Sequence, residues 1–470
     1  MMTRVLLSDS ASESSLPERP SPSSTSLSAI ITTFRASTSG FVPYLDDLEK
    51  RGVLSITYPQ NLLTTFKDEL NKLPPLAYAG FDPSSDSLHV GNLIIVLNLL
   101  RAHFYGIRPI LLIGGATAAI GDPSGRLSER NTLEYDVIHT NRACLFKQLQ
   151  EVTSRIIPQD KFDIFDNYDW YKNLSCLDFL RRCKSMTMSS MLSLGAIRDR
   201  LDSQDSISFT EFSYQTLQAM DWLNLAYKYD CRFQVGGSDQ LGHLHTGSTY
   251  IKKMLEGAFA AGICLPLLTD ADGNKIGKST QGGVTWLGQN KTSNFRFYQF
   301  FMQMHETEAV PLFTKLSLRP LHEVKAVIEE NKADPGKKAL QRQLAEEITK
   351  IVRGKKTFEN TIKISQILFY NKFDEFTALP REELLGVFNR PVLLEREKAK
   401  DLTFGKLADI TKEEGTKMAH QMSAGAFKVN GVKVTNPDQK INVDNILLGD
   451  HKDLTLIGLG KRQFNLVQWI

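Results

Sequence analysis

LAYAGFDPSSDSLHVGNLIIVLNLLRAHFYGIRPILLIGG, from Leu76 to Gly115, decides how the chain is read. It opens on a short apolar run, Leu76 to Phe81, breaks at Asp82-Pro83 and resumes as an apolar helical pattern from Val90 to Tyr105. A second apolar run, Pro109 to Gly115, follows at once. Strand, helix and strand within about forty residues make a βαβ unit and hence a parallel sheet. In this reading Asp86 or Ser87 caps the helix. His89 and Asn92, three residues apart, then share one face of its first turn, where unpaired N–H groups and the helix dipole favour an anion. Gly91 and Gly80 omit side chains where a flat ring or a phosphate would touch backbone. Taken alone, H-x-G-N describes a packing glycine beside a surface histidine just as well.

Working outward, RFQVGGSDQ (Arg232 to Gln240) again sets glycines and polar groups just past a short strand. Ligands of parallel sheets bind beyond such carboxyl ends. In FTEFSYQTLQAMDWL (Phe209 to Leu223), Tyr214, Gln218 and Asp221 are spaced by four and three and line one helical face. Phe212, Leu217, Met220, Trp222 and Leu225 leave that face little room to be exposed. GNKIGKST (Gly273 to Thr280) carries two lysines three apart in a Gly- and Ser-containing loop, suited to closing over a polyphosphate. Alone, K-x-x-K is ordinary solvated surface.

Composition excludes several classes. With 470 residues, 41% hydrophobic and 23% charged, the chain can bury a core in each of several domains. No apolar run approaches the ~18 residues of a spanning helix, so no membrane partner is expected. A net charge of +3 does not by itself mark a nucleic-acid binder. The five cysteines are scattered without a C-x-x-C pair, which points to neither a zinc site nor a disulfide framework, and no resident metal is expected. Residues 1–43 are rich in Ser and Pro and read as a leader, a transit peptide or a disordered arm. Arg4, Arg19 and Arg35 suit a transit peptide, and Asp9, Glu13 and Glu18 do not.

H-x-G-N after the first strand together with K-x-G-K-S after the last resembles the paired signatures of the class I aminoacyl-tRNA synthetases, in the right order. With YAGFDPSSDSLHVGN, GGATAAIGDPSGR, FTEFSYQTLQAMD, QVGGSDQLG and KIGKS, the chain resembles the bacterial-type tyrosyl-tRNA synthetases from about Tyr44 to its end. The resemblance implies an α/β fold: a Rossmann-like parallel-sheet catalytic domain with a connective insertion (44–285), an α-helical domain on the anticodon side (286–376), a linker containing Pro380 and Pro391 (377–405), and a small α+β RNA-binding domain (406–470). In the last, FKVNGVKV carries Asn430-Gly431, the signal of a two-residue type I′ hairpin.

The same resemblance implies roles. Tyr78 and Asp221 would bond the phenol hydroxyl of L-tyrosine, and Asp122, Tyr214 and Gln218 would hold its ammonium. Gly80, Asp82, Gly237, Asp239 and Gln240 would surround the ribose and the carboxylate region, with Gln240 also touching the amino acid. Ser84, His89, Asn92, Lys275 and Lys278 would stabilise charge on ATP and pyrophosphate, with Gly91, Ile276 and Ser279 in the ATP site and Mg²⁺ shared between the phosphates. Arg126, Arg130, Lys428, Lys433, Lys461 and Arg462 would meet tRNA(Tyr). A homodimer and a mitochondrial matrix location are further implications. Some positions depart from the family pattern: Ala79 stands where many relatives carry Cys, Leu241 where many carry Trp, Asn92 in place of a second His, and Ser84 in place of Thr. Two other readings stay open, a tryptophan-specific relative and a synthetase-like RNA-binding or splicing scaffold.

Overall fold

The computed structural model describes residues 39–124, 133–193, 195–202, 207–268, 284–370, 372–411, 422, 425–460 and 463–470. Nearly all of the expected leader, together with Arg126, Arg130, Lys275, Ile276, Lys278, Ser279, Lys461 and Arg462, lies outside them. The chain forms two compact units. One comprises Met1–Ser84, Leu99–His139 and Thr153–Pro266, and the other Ser85–Asn98, Thr140–Val152 and Leu267–Ile470.

The first unit is built on six strands: β1 (Ile56–Tyr58), β2 (Leu76–Phe81), β3 (Arg108–Ile113), β4 (Asp163–Asp166), β5 (Phe233–Gly237) and β6 (Ala261–Leu265). Their order is β1-β6-β5-β2-β3-β4. All neighbouring pairs are parallel except β1, which runs antiparallel along β6. The chain winds from β2 through β3 to β4 and then returns to β5 on the other side of β2. Strand order therefore reverses between β2 and β5, the place where ligands bind past the carboxyl ends. β2 and β3 are near-continuous apolar runs because both faces of a parallel strand are covered.

The helices Phe209–Tyr229 and Leu241–Met254 supply part of that cover. Trp222, Leu225, Leu244 and Ile251 pack with Tyr78, Ile110 and Leu112 of the sheet. The first helix starts where the Ser208 side chain accepts from the Glu211 N–H, and ends at Asp230 in the left-handed conformation. The N-terminal helix runs Phe41–Lys50, so it begins before the boundary expected at 43. Phe41 stacks on Phe233 of β5 with centroids 4.4 Å apart, and Tyr44, Leu45 and Leu48 are buried.

In the second unit the turn after β2 differs from expectation. His89 occupies the N-cap, followed by a 3₁₀ turn (Val90–Asn92) and the helix Leu93–Arg101. Asp86 and Ser87 do not cap it. Asp86 pairs with Lys291 at 2.6 Å, and the Ser87 hydroxyl accepts from the Gly288 N–H at 2.8 Å. An amphipathic helix covers Ala339–Arg353, preceded by a separate turn at Pro335–Lys337 and by Lys338 at φ 50°.

A second sheet combines β7 (Val392–Leu394), β8 (Phe427–Val429), β9 (Val432–Lys433), β10 (Leu454–Leu459) and β11 (Gln463–Trp469) in the order β7-β11-β10-β8-β9. Asn430 and Gly431 have φ of 46° and 83°, as a type I′ hairpin requires. The stretch expected to be a linker is structured. It holds the helix Arg381–Val387 and β7, which pairs parallel with β11, and Leu384, Val387 and Phe388 share a core with Leu368, Leu454 and Leu466.

Gly247 faces Trp222, and a Cβ added there would lie 2.5 Å from the indole. Gly247→Ala is therefore expected to cost about 2 kcal/mol by overpacking. Denaturant unfolding should show a lower midpoint with an unchanged slope.

Candidate active site

The face of Phe209–Tyr229 that carries Tyr214, Gln218 and Asp221 turns into the first unit, where Tyr214 and Asp221 are buried. A buried carboxylate needs donors. Asp221 Oδ2 accepts from Asn167 Nδ2 at 2.9 Å and Oδ1 from Trp170 Nε1 at 2.8 Å. Burial pushes this carboxyl up to about 7, against the pull of Asn167, Trp170 and Tyr171. On β2, Tyr78 is 1% exposed and its hydroxyl has no hydrogen-bond partner among the described residues. Burial, with the nearby Asp221 charge adding, holds its phenol well above the ordinary range. A buried hydroxyl left unpaired costs about 1–3 kcal/mol, which a ligand hydroxyl would recover.

Asp82 anchors a neighbouring network. Tyr214 donates to its Oδ2 at 2.8 Å and Thr117 to its Oδ1 at 2.7 Å. Asn167 also donates to Thr117 Oγ1 at 3.1 Å, so one amide ties the Asp82 network to Asp221. Gly114 makes room for it: a Cβ there would sit 1.9 Å from Asp82 Oδ1.

A second chain runs from Gln218 Nε2 to Gln240 Oε1 at 3.1 Å, and from Gln240 Nε2 to Asp122 Oδ2 at 2.8 Å. Asp122 Oδ1 accepts from the Ser124 N–H at 2.9 Å and faces His243 Nε2 at 3.3 Å. Burial pushes the Asp122 carboxyl up, but His243, Ser124 and Gln240 outweigh it and hold the group well below the usual carboxylate range. The Gln218 carbonyl oxygen is buried without a hydrogen-bond partner among the described residues. An anionic carboxylate beside an unfilled amide oxygen suits a cation that donates several hydrogen bonds.

The carboxyl ends of β2 and β5 complete the set. The Cβ direction of Gly80 meets nothing within 4 Å, Ser84 closes a turn onto the Asp82 carbonyl at 2.8 Å, and Gly237 precedes the turn Ser238–Gln240 that carries Asp239.

In the second unit, His89 does not share a helical face with Asn92 as expected. Its backbone is extended, and its N–H donates to Asn92 Oδ1 at 3.0 Å, so the Asn92 amide oxygen caps the turn. The Val90 N–H donates to the Thr285 carbonyl at 2.9 Å, and the His89 ring meets Trp286 edge-on at 6.1 Å. Gly91 lies in the 3₁₀ turn. Lys428 and Lys433 are directly opposed across the hairpin. Among the described residues no group of three or more His, Cys, Asp and Glu could hold a metal ion.

Sequence reasoning missed Asn167, Trp170, Thr117 and His243. Asn167 follows β4 immediately, and a polar residue just past a strand was the available signal.

Residues 71–370 match the family model described as tRNA synthetases class I (W and Y). A mitochondrial tyrosine–tRNA ligase of Drosophila melanogaster is 35% identical over 437 residues, covering 90% of this chain and 94% of its own. Tyrosine–tRNA ligase 1 of Bacillus licheniformis is 35% identical, covering 90% and 99%. The chain belongs to the tyrosine–tRNA ligase family of class I synthetases. Two crystal structures share the synthetase's fold. A C-terminally truncated mitochondrial tyrosyl-tRNA synthetase of Aspergillus nidulans has TM-score 0.62 and 26% identity, covering 69% of this chain and 94% of its own. The Coccidioides posadasii counterpart has TM-score 0.60 and 28% identity, covering 68% and 91%.

Replacing Trp170 by Phe removes a donor from the synthetase's Asp221. The carboxyl should then titrate higher by about one pH unit. Its infrared carbonyl band, identified by its loss in Asp221→Asn, reads this directly.

Proposed function

We propose that the chain activates L-tyrosine with ATP and transfers it to tRNA(Tyr). The observation that carries the reading is the buried Tyr78 hydroxyl, unpartnered among the described residues, near the buried Asp221 carboxyl, whose own oxygens are already oriented by Asn167 and Trp170. In this reading the ionised Asp221 accepts from the substrate phenol and Tyr78 donates to it. Phenylalanine would leave the Tyr78 hydroxyl unpaired and bring the buried Asp221 carboxylate no donor beyond Asn167 and Trp170. Loss of a partner for a buried polar group is the kind of penalty by which tyrosine-specific synthetases are known to reject Phe. The tryptophan-specific alternative has no use for that pair.

The ammonium is assigned to Asp122 and the Gln218 oxygen, with Tyr214 and Gln240 holding the frame. Asp82, Asp239, Gly80 and Gly237 are assigned to the ATP ribose, since a carboxylate accepts from both hydroxyls of a diol. Ser84, His89, Gly91, Asn92, Lys275, Ile276, Lys278 and Ser279 are assigned to the triphosphate, with Mg²⁺ arriving as part of the nucleotide substrate. The tyrosine carboxylate attacks the α-phosphorus, forming the acyl phosphate bond of the adenylate as the bond to pyrophosphate breaks. It is already an anion and needs no base, so the residues act by positioning and charge stabilisation. A hydroxyl of the terminal tRNA ribose then attacks the adenylate carbonyl, forming the ester and releasing AMP.

Arg126, Arg130, Lys428, Lys433, Lys461 and Arg462 are assigned to tRNA. Like charges directly opposed across a hairpin, as Lys428 and Lys433 are, repel each other, and an anionic backbone between them would relieve this. A homodimer formed through the connective region before Phe209 is supported by its exposed Leu177, Leu180 and Met188. A mitochondrial location is supported by the named location of the Drosophila relative and of both fungal structures, and within it the matrix is assigned.

ATP–pyrophosphate exchange tests the reading: it should proceed with tyrosine and not with phenylalanine or tryptophan, and Asp221→Ala should abolish it. Exchange undiminished in that variant would remove the phenol assignment. Because burial has raised the Asp221 carboxyl to about 7, its ionised, phenol-accepting form grows as pH rises through that value. The KM for tyrosine should fall about tenfold between about pH 6 and about pH 8 at constant ionic strength.

A further inference from the structure

His243 is buried on the helix Leu241–Met254, and no expected role falls on it. Its Nε2 lies 2.9 Å from Ser124 Oγ and 3.3 Å from Asp122 Oδ1, while its Nδ1 is buried with no hydrogen-bond partner among the described residues. The tautomer follows from these contacts. A proton on Nδ1 would be a buried orphan donor and would turn the Nε2 lone pair toward a carboxylate. A proton on Nε2 is shared between Asp122 and Ser124 and leaves only an acceptor unfilled, the cheaper defect. The Tyr214 ring packs 5.5 Å away between centroids, and its hydroxyl is committed to Asp82, so the imidazole is wedged against the Asp122 side.

We propose that His243 is a positioning residue for the amino-acid substrate: its Nε2–H, with the Ser124 N–H and Gln240 Nε2, locks the Asp122 carboxylate in the orientation that receives the substrate ammonium. The inference rests on the assignment of that ammonium to Asp122. Asp122 thereby takes a donor on each oxygen from the protein and keeps acceptor capacity for the ligand. The imidazole itself touches no reacting atom. Its effect is on amino-acid affinity, and only for ligands that carry the ammonium.

The test compares tyrosine with its desamino analogue, 3-(4-hydroxyphenyl)propanoate, on the full chain. KM and kcat for tyrosine come from ATP–pyrophosphate exchange, and the analogue's inhibition constant from the same assay. His243→Leu should raise the tyrosine KM about tenfold with little change in kcat, while the analogue's constant moves less than about twofold. His243→Asn, polar but too short to reach Asp122, should behave alike and serves if the leucine variant does not fold. His243→Gln, whose amide reaches the Nε2 position, should restore most of the affinity. Equal weakening of both ligands would make His243 merely structural, and no change in either would remove its role; both outcomes overturn the proposal. Asp122→Asn separates this from the underlying reading. If that variant weakens tyrosine selectively while the His243 variants do not, only the proposal fails. If Asp122→Asn leaves the ratio of the two ligands unchanged, the ammonium assignment fails as well.

Discussion

Two carboxylates buried in one parallel-sheet unit set the terms for much of what surrounds them. Burying an ion without partners costs far more than any single side chain contributes to stability, so each must be surrounded by donors or lose its charge. Asp122 is surrounded and keeps its charge. Asp221 has donors too, yet burial still raises it to about 7. The two groups are thus poised differently: one as a fixed anion, the other as an acceptor whose ionisation a hydroxyl ligand would favour. Among the described residues the Tyr78 hydroxyl and the Gln218 oxygen have no partners, and a substrate with a phenol at one end and an ammonium at the other would satisfy them together.

That arrangement depends on backbone close approaches. Gly114 lets the Asp82 carboxylate lie against the chain after β3, Gly236 gives way to the Gln240 side chain, and Gly247 lets one helix settle on Trp222 of the other. In each case the missing Cβ decides where a polar or aromatic side chain can lie, and hence where the hydrogen-bonded chains run. The course of these networks is as much a matter of what these positions lack as of what the named side chains supply.

Much of this was legible in the chain itself. The βαβ unit, the inward polar face of Tyr214, Gln218 and Asp221, and the Asn430-Gly431 hairpin follow from local periodicity and turn chemistry, and each stands where those rules put it. The errors are also local in origin. Asp86 and Ser87 look like caps, but both are engaged by residues near Gly288, and His89 takes the N-cap. Pro380 and Pro391 look like a connector, but β7 finds its partner in β11 at the far end of the chain. The three- to five-residue strands β1, β4 and β6 carry too little pattern to be seen before their neighbours are known.

Local strand and helix periods place particular side chains at the carboxyl ends of the strands and on the inward helix face, because those periods are properties of the chain read residue by residue. Which of them meet depends on the assembled fold. Asn167 reaches Asp221 and Thr117, and His243 reaches Asp122, across separations that no local period encodes. Desolvation is likewise a property of the assembled unit. The raised carboxyl of Asp221 and the held charge of Asp122 exist only once water has been excluded and the donors have arrived.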